Sequence, residues 1–287
     1  MVKLTNDTKV KVCQAIIYLS VCFVPLYFDV VLFISGIILG WFLWLFGVSM
    51  SLHKWASHKT FVPKSKLIKH FLLVCSVFCT AGSTICWADT HRLHHMKADH
   101  EGDPHRPYGN LWNKIKNNFF YFPPYEVSIK RVKDLTNDVD HRLYHRLYFR
   151  IWSAAGVFLM ILEPLLFLYL FVLPIAYVLL GLMWVTTVAH IPAFGSLSYR
   201  LYSTDDYTYN SYLWSILWPG EGLHNTHHAC PALWNNAQLP SEFDISAQFI
   251  KILGIPINQN NKPFSKVTRG WRLRYEFKRV HNRLSEV

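Results

Sequence analysis

The sequence predicts an all-α integral membrane protein with four transmembrane helices and a cytoplasmic helical cap. Three observations support this fold class: two long apolar blocks, a low content of charged residues, and histidine clusters at the ends of the apolar blocks. Of the 287 residues, 52% are hydrophobic and 16% are charged, whereas a typical soluble domain has about 25% charged residues. A disordered chain is excluded, because it could not leave this much apolar surface in water.

The first apolar block covers residues 12–52 and contains one charged side chain, Asp29. About 20 apolar residues are needed to span a bilayer, so the block is long enough for two helices. Pro25 and Asp29 lie near its middle and indicate a turn. Two spans are therefore predicted, at about 12–27 and 30–52.

The second apolar block covers residues 151–189 and is interrupted by Pro164 and Pro174. It is also long enough for two helices joined by a turn at one of these prolines. The predicted spans lie at about 148–166 and 170–190.

The distribution of basic residues predicts the orientation of the chain. Lysines flank both ends of the first block, which places these ends, and both termini, in the cytoplasm by the positive-inside rule. The excess of 29 Lys and Arg over 18 Asp and Glu favours an anionic membrane surface as partner rather than nucleic acid. We expect one domain over 1–287, in the endoplasmic reticulum of a eukaryote or the inner membrane of a bacterium.

Three histidine motifs indicate a metal site. On a helix, positions i, i+3 and i+4 share one face, so an HxxHH motif directs three imidazoles to the same side. Imidazole is a common ligand of iron, zinc and copper, and eight histidines exceed what one ion can use. The sequence therefore predicts two metal ions, held by HKWASH, HRLHH and HNTHH, that is by His53, His58, His91, His94, His95, His224, His227 and His228.

A shared metal site constrains the topology between the first two motifs. The chain must cross the membrane an even number of times between His58 and His91. Only one apolar stretch, residues 67–87, lies between them. This stretch is therefore predicted to be an interfacial helix or to re-enter the membrane on the same side.

These motifs, with GDPH after HRLHH and GEGLHNTHHACP at 220–231, resemble the membrane fatty acyl desaturases, and within them the Δ9, stearoyl-CoA desaturase-like branch. The resemblance covers about residues 35–257. It implies four membrane helices, a cytoplasmic cap, an acyl tunnel, and two iron ions held by nine histidines, the ninth being His190. It also implies that O2 is a co-substrate and that a cis double bond, expected at Δ9, enters a saturated acyl chain.

The resemblance also bears on the residues around the ligands. The family usually has Asn four residues before the ninth histidine, where it holds a metal-bound water, and this chain has Thr186 there. Metal-bound imidazoles need an acceptor for their second N–H, and Asp89, Glu221 and Asn225 are the candidates near the motifs. His100, His105, His141 and His145 are predicted to serve other roles than ligation.

The helix that ends at His53 is predicted to line the acyl tunnel, since its exit carries a metal ligand. Steps of whole α-helical turns back from His53 select one face of this helix. That face consists of Trp41, Phe42, Leu45, Phe46 and Ser49.

The expected partners are a fatty acyl thioester or acyl-lipid substrate, membrane lipids, and a separate electron donor with its reductase. The donor is ferredoxin-, rubredoxin- or cytochrome b5-like, because no flavin, dinucleotide or haem motif occurs in the sequence. Two alternative functions stay open: an acyl or alkyl hydroxylase with the same motifs, and a metal transporter or sensor. A transporter is disfavoured because its ligands should lie within the spans rather than at their ends.

Overall fold

The computed structural model describes residues 7–105, 112, 127–191 and 198–260, and these are mainly helical. The first elements are α1 (Asp7–Val21), α2 (Val30–Leu43) continued by a π-helix (Trp44–Ser57), β1 (Phe61–Pro63), α3 (Lys66–Phe78) and α4 (Thr84–Lys97). They are followed by α5 (Lys133–Asn137), α6 (Val139–Leu162), and one long helix made of α7 (Pro164–Phe167), a short π-helix (Leu168–Val172), α8 (Leu173–Thr187) and a 3₁₀ turn (Val188–His190). The last elements are α9 (Tyr212–Leu217), α10 (His224–Ala229), α11 (Ile245–Leu253) and β2 (Gly254–Pro256).

The turn between α1 and α2 is fixed by side chains at its end. The Asp29 carboxylate caps α2 by accepting a hydrogen bond from the backbone N–H of Leu32 (2.8 Å). The Tyr169 hydroxyl donates to the carbonyl of Tyr27 (2.7 Å) and accepts from the N–H of Asp29 (3.0 Å). The first apolar block is thereby folded back on itself.

In the second apolar block, the break lies at Glu163, directly before Pro164, which is one of the two prolines at which the turn was predicted. It comes earlier than the span boundary drawn between residues 166 and 170. Glu163 is extended (φ −165°, ψ 117°) and caps α7, with Pro164 in the first turn. Proline disfavours a helical residue before it and suits a first helical turn. Pro174 lies inside the continuous helix 164–190, directly after the short π-helix, whose altered bonding accommodates the missing N–H.

Within the described residues, two helices are long and apolar enough to cross a membrane, Val30–Ser57 and Pro164–His190. They pack closely because α2 offers glycines at the contact. A Cβ on Gly36 would lie 2.5 Å from the carbonyl oxygen of Tyr169, and one on Gly40 would lie 2.8 Å from Cβ of Tyr177. The four predicted spans and the cytoplasmic position of the cap stay predictions.

The apolar stretch 67–87 forms two helices rather than one continuous helix, and its interfacial or re-entrant position stays a prediction. Helix α3 ends at Phe78 and α4 starts at Thr84. Its 13 residues make α3 about 20 Å long, which is shorter than the roughly 30 Å of hydrocarbon in a bilayer. Neither helix of the pair can therefore cross the membrane by itself on the way to the second histidine motif.

The turn between α3 and α4 is held by a buried polar network. The carbonyl of Thr80 accepts from Nε2 of Gln14 (2.9 Å), and its hydroxyl accepts from Nε1 of Trp152 (2.9 Å). The Tyr148 hydroxyl accepts from the N–H of Gly82 (3.2 Å). These bonds tie the turn to α1 and α6, and so fix where α4 and its histidines begin.

The far end of the long π-helix is clamped to the C-terminal part of the described chain. Strands β1 and β2 pair antiparallel, with Val62 opposite Ile255. Lys54, next to His53, is buried and donates to the Asp244 carboxylate (2.7 Å) and the Trp234 carbonyl (2.9 Å). A buried pair of this kind is strongly destabilising when one partner is lost, so it fixes the orientation of the first histidine motif.

Candidate metal centre

The π-helix explains how an HxxxxH motif can serve one site. In an α-helix, residues five apart diverge by about 140° around the axis. A π-turn closes on the fifth residue, and the N–H of His58 indeed donates to the carbonyl of His53 (3.1 Å). The two imidazoles therefore lie on the same side of the helix, with ring centroids 4.9 Å apart.

The other histidines come from three further helix ends. His91, His94 and His95 lie in the last two turns of α4, and His224, His227 and His228 lie on the short helix α10. His190 ends the 3₁₀ turn after α8, where the carbonyl of Ala189 accepts from the N–H of Tyr209 (3.0 Å). All nine histidines predicted as ligands converge in this region.

The nine side chains form two separate groups. The ligand atoms of each group lie within 4.8 Å of one another, and the groups comprise five residues (His53, His58, His91, His95, His227) and four residues (His94, His190, His224, His228). In the five-histidine group, the Nε2–Nε2 distances are 2.8 Å for His53–His227, 2.8 Å for His58–His91, 3.0 Å for His91–His95 and 2.9 Å for His95–His227. In the four-histidine group, Nε2 of His190 and Nε2 of His224 are 3.1 Å apart.

These separations fit coordination to a transition metal. Imidazole nitrogens bind such ions at about 2.1 Å, so two ligands at a right angle are about 3.0 Å apart. The observed distances of 2.8–3.1 Å match this spacing. The donor set is entirely imidazole, which suits iron, copper, zinc or nickel rather than magnesium or calcium.

Carboxylates set the tautomer of four of these histidines. Each accepts from an Nδ1–H, and the pairs are His53 with Glu221 (2.5 Å), His94 with Asp103 (2.9 Å), His190 with Asp99 (3.0 Å) and His228 with Asp206 (3.0 Å). A proton on Nδ1 leaves Nε2 with a free lone pair, which is the form that binds metals.

Five of the histidines are neutral near pH 7. Burial, followed by the charges of neighbouring imidazoles, lowers the pKa of His58, His91 and His95 well below the ordinary value, and the same causes act on the pKa of His224 and His227. Their lone pairs are thus available without competition from protons.

The carboxylates around them are ionised. Burial alone would raise the pKa of Asp99, Asp103 and Asp206, but the adjacent imidazoles outweigh burial and hold each pKa below its usual value. A carboxylate that accepts from the second ring nitrogen makes the imidazole a better electron donor to a cation.

Two ring nitrogens of the four-histidine group are buried without a hydrogen-bond partner among the described residues, Nδ1 of His224 and Nε2 of His228. Buried polar atoms are nearly always satisfied in folded proteins. A metal ion bound by Nε2 of His228 would supply the missing partner of that atom. The residues present therefore fit a pair of metal ions.

A cavity reaches both histidine groups. His53, His91, His94, His190 and His224 line it on one side. Its apolar wall is formed by Trp44, Val48, Leu182 and Val185. The histidines thus face a cavity whose opposite wall is apolar.

The residues predicted to face the tunnel do not line this cavity. Their role in an acyl tunnel stays a prediction, but the α-helical period used to choose them does not hold in this segment. The segment before His53 is a π-helix, so the inward face repeats at intervals of four to five residues. Val48 and Trp44 therefore lie above one another on the cavity side. The predicted residues Trp41, Phe42, Leu45, Phe46 and Ser49 are absent from the cavity wall.

Thr186 lies in the cavity wall one turn before His190. Its hydroxyl donates to the carbonyl of Leu182 in its own helix (2.9 Å). The hydrogen is thus engaged, and the oxygen offers only lone pairs to the cavity. A water molecule held by Thr186 must therefore donate its hydrogen to Oγ1.

Two of the predicted acceptors of imidazole N–H groups contact other residues. The buried carboxylate of Asp89 accepts two hydrogen bonds from Arg131 (2.7 and 2.9 Å). The side-chain oxygen of Asn225 accepts from the N–H groups of Leu201 and Tyr202 (both 2.8 Å). For Asp89 and Asn225 the prediction was wrong, because nearness in sequence did not bring either side chain to an imidazole. Glu221 contacts His53 as described.

Sequence reasoning missed three carboxylates of the site. Asp99 and Asp103 follow the second motif closely, and this nearness was the available signal. For Asp206 there was no such signal. It is one of two adjacent aspartates in a loop; its side chain is 9% exposed, whereas the Asp205 side chain is fully exposed.

The four histidines predicted to serve other roles lie outside both groups. Nδ1 of His141 is 2.7 Å from the hydroxyl of Thr84, and Nδ1 of His145 is 2.7 Å from that of Ser83. They tie α6 to the start of α4. His105 is buried against His94, with ring centroids 4.6 Å apart, and His100 is exposed.

The order of these motifs and their convergence can be compared with known proteins. A family model for fatty acid desaturases matches residues 29–259. The chain belongs to the fatty acid desaturase family. The resemblance seen in the histidine motifs is confirmed, and as a member of this family the protein is a fatty acyl desaturase, an oxidoreductase.

Relatives of the desaturase act on different acyl carriers. It is 26% identical over 229 residues to an sn-1 stearoyl-lipid 9-desaturase of Anabaena variabilis. The aligned region covers 78% of this chain and 82% of the Anabaena protein. It is 27% identical over 213 residues to the enzyme of the same name from Synechocystis sp. (73% and 64%). It is 25% identical over 240 residues to a probable acyl-CoA desaturase of Schizosaccharomyces pombe (78% and 48%).

Proposed function

We propose that this desaturase uses two iron ions and O2 to insert a cis double bond at Δ9 of a saturated acyl chain. The observation that carries the proposal is the convergence of nine imidazoles in two groups beside one cavity. The position of the double bond follows the names of the relatives from Anabaena and Synechocystis.

The chain's own residues have distinct tasks in this reaction. The five- and four-histidine groups would hold one ion each, and ions held in this way would supply the oxygen-dependent redox chemistry that removes hydrogens from an unactivated methylene. Glu221, Asp99, Asp103 and Asp206 keep four imidazoles in the ligating tautomer. The apolar cavity wall orients the acyl chain and excludes water.

An acyl-lipid is the preferred substrate, because the relatives from Anabaena and Synechocystis are named as stearoyl-lipid desaturases. Acyl-CoA is the second candidate, supported by the name of the S. pombe relative. Purified enzyme offered stearoyl-CoA or stearoyl-phospholipid vesicles in parallel distinguishes the two. Product from the thioester alone would reject the lipid assignment.

The proposed topology has four spans, with the histidine groups and both termini in the cytoplasm. It is supported by the lysines at both ends of the first block and by a break at Glu163 that returns the chain to His190. Accessibility of a cysteine placed at exposed Lys59 to a membrane-impermeant reagent tests the orientation. Electrons come from a separate ferredoxin-, rubredoxin- or cytochrome b5-like donor and its reductase, which reach the site from the same side.

The function is tested by expression in a host that lacks unsaturated fatty acids, followed by gas chromatography–mass spectrometry of its lipids. We expect a cis-9 monounsaturated product from the wild type and none from the His91→Ala variant. A hydroxylated product would instead assign the chain to the hydroxylases with the same motifs. A double bond at another carbon would reject the Δ9 assignment and keep the desaturase.

Thr186 should act through its oxygen. Thr186→Val preserves the shape but removes the lone pairs that face the cavity, so we expect kcat to fall by about 10- to 100-fold, as for other groups around a metal. Thr186→Asn retains an acceptor and should keep most activity. Equal rates for the valine variant and the wild type, at equal iron content, would show that no water is held there.

Trp44 should limit the length of the acyl tail. Its indole lies against Gly181, where an added Cβ would come within 2.4 Å of it, and it is backed by Trp218 at 6.3 Å. Trp44→Ala should shift the products toward longer chains, by about fourfold per added methylene at about 0.8 kcal/mol each. Phe42→Ala is the control, since Phe42 is 40% exposed and outside the cavity wall. Unchanged chain lengths in the Trp44 variant would place the floor elsewhere.

A further inference from the structure

Helix α6 carries a cationic stripe on its exposed face. Arg142, Arg146 and Arg150 follow one another at intervals of four residues, and all three are exposed. Residues at this spacing lie one above the other on a helix. The same face continues with apolar side chains that are also exposed, namely Ala154, Val157, Phe158 and Ile161.

Two of the three guanidinium groups in this stripe, those of Arg146 and Arg150, have no hydrogen-bond or ion-pair partner among the described residues. Arg142 donates to the carbonyl of Thr136 (2.7 Å). A further cation lies at the same level, because the ammonium group of Lys9 is 5.5 Å from the ring centroid of Phe149.

In the proposed four-span topology, these arginines lie in the outer part of the bilayer. The helix ends at Leu162, and it extends only about 18 Å beyond Arg150 and about 24 Å beyond Arg146. A bilayer has about 30 Å of hydrocarbon. In that topology, Arg146 and Arg150 lie within the hydrocarbon thickness, where a charge without a partner is unfavourable.

An anion at this depth must come from the lipids. The planar guanidinium binds phosphate oxygens in pairs, more specifically than an ammonium group does. A phosphate on Arg146 and Arg150 would have its acyl chains directed along the apolar continuation of the same face. Along α6 the arginines are thus followed by an apolar surface, as the head group of a phospholipid is followed by its acyl chains. The head group would lie toward the cytoplasm and the acyl chains toward the bilayer centre.

We propose that Arg146, Arg150 and Lys9 form a binding site for the phosphate of an anionic phospholipid, whose acyl chains lie along Ala154, Val157 and Phe158. The site is separate from the catalytic cavity, because the opposite face of α6 contacts the start of α4 through His141 and His145. Its occupant is a structural lipid, and the proposal rests on the proposed topology, in which α6 crosses the membrane.

The test measures lipid retention by the purified full-length protein. The protein in detergent is exchanged against equimolar phosphatidylglycerol and phosphatidylcholine, repurified, and its lipids are quantified by mass spectrometry. We expect the wild type to retain phosphatidylglycerol selectively. The double variant Arg146→Gln/Arg150→Gln should bind it about 30-fold more weakly, because each basic residue near the surface contributes about a factor of five. The control Lys130→Gln/Lys133→Gln, which removes two exposed lysines outside α6, should behave as the wild type.

A second measurement on the wild type alone keeps the test decisive if the double variant does not fold. Phosphatidylglycerol should raise the unfolding temperature more than phosphatidylcholine or inorganic phosphate does. Equal effects of the two lipids, or of phosphate alone, would overturn the proposal. Unchanged lipid retention in a folded double variant that accepts electrons more slowly would also overturn it, and would assign the arginines to the electron donor.

Discussion

Replacement of His227 by alanine should reduce desaturated product to the background level while the protein stays in the membrane. His227 lies at the centre of the five-histidine group, with its Nε2 2.8 Å from that of His53 and 2.9 Å from that of His95. Its loss removes a ligand that faces two others, and the ion it helps to hold must change its oxidation state during turnover. Iron content should fall from about two ions to about one per chain.

The matched control for His227 is His145→Ala. His145 is also partly buried and hydrogen-bonded, to Ser83 at 2.7 Å, but it lies outside both groups. It should keep two irons and most of the activity. Full activity and two irons in the His227 variant would remove this residue from the ligand set, whereas equal loss in both variants would show that the effect is one of folding.

The shared direction of the six histidines in the two HxxHH motifs could be predicted because their spacing is a local property, whereas His190 was added only by the resemblance to the desaturases. Positions i, i+3 and i+4 of HRLHH and HNTHH share a helix face whatever the tertiary structure. Once His58 and His91 must meet, the stretch 67–87 cannot cross the membrane, and the structure brings both residues into one group. The division of the nine into groups of five and four was not predicted, since it depends on how helix ends approach one another.

The face of the helix before His53 could not be predicted correctly from an α-helical period. A π-helix of 14 residues is unusual, and no residue in WLFGVSMSLHKWAS predicts it. Its consequence is large, because it moves Trp44 and Val48 into the cavity wall and Phe42 out of it. The same change of period makes His53 and His58 point to one side, which the HxxxxH spacing itself left unexplained.

The partners of the imidazoles were the least predictable part of the site. Asp89 lies two residues before His91 but binds Arg131, and Asp206 lies in a distant loop but binds His228. An aspartate contacts an imidazole only when its backbone lies within a few ångströms of the ring. The course of the loops decides this, and no motif in the sequence encodes it. Such contacts became visible only through the tertiary structure.

Asp206→Asn should weaken metal binding at the four-histidine group by about 10- to 100-fold, the usual effect of removing a carboxylate behind a ligating histidine. Asp206 accepts from Nδ1 of His228 (3.0 Å) and is itself fixed by the hydroxyls of Thr204 (2.7 Å) and Thr208 (2.6 Å). Asparagine fills the same space, so the loop should persist. It lacks the negative charge, and it can turn an NH₂ group toward the imidazole, which would move the proton from Nδ1 to Nε2 and block ligation.

The adjacent Asp205 provides the control, because its side chain is fully exposed and Asp205→Asn changes the net charge by the same amount. Metal titration of the stripped proteins should give one weakened site in the Asp206 variant and two unchanged sites in the Asp205 variant. Excess iron should restore part of the activity of Asp206→Asn, which a misfolded protein would not show. If both variants bind two irons with wild-type affinity, the carboxylate does not support His228. If both lose affinity alike, the effect belongs to the net charge of the loop, and the specific hydrogen bond is not its cause.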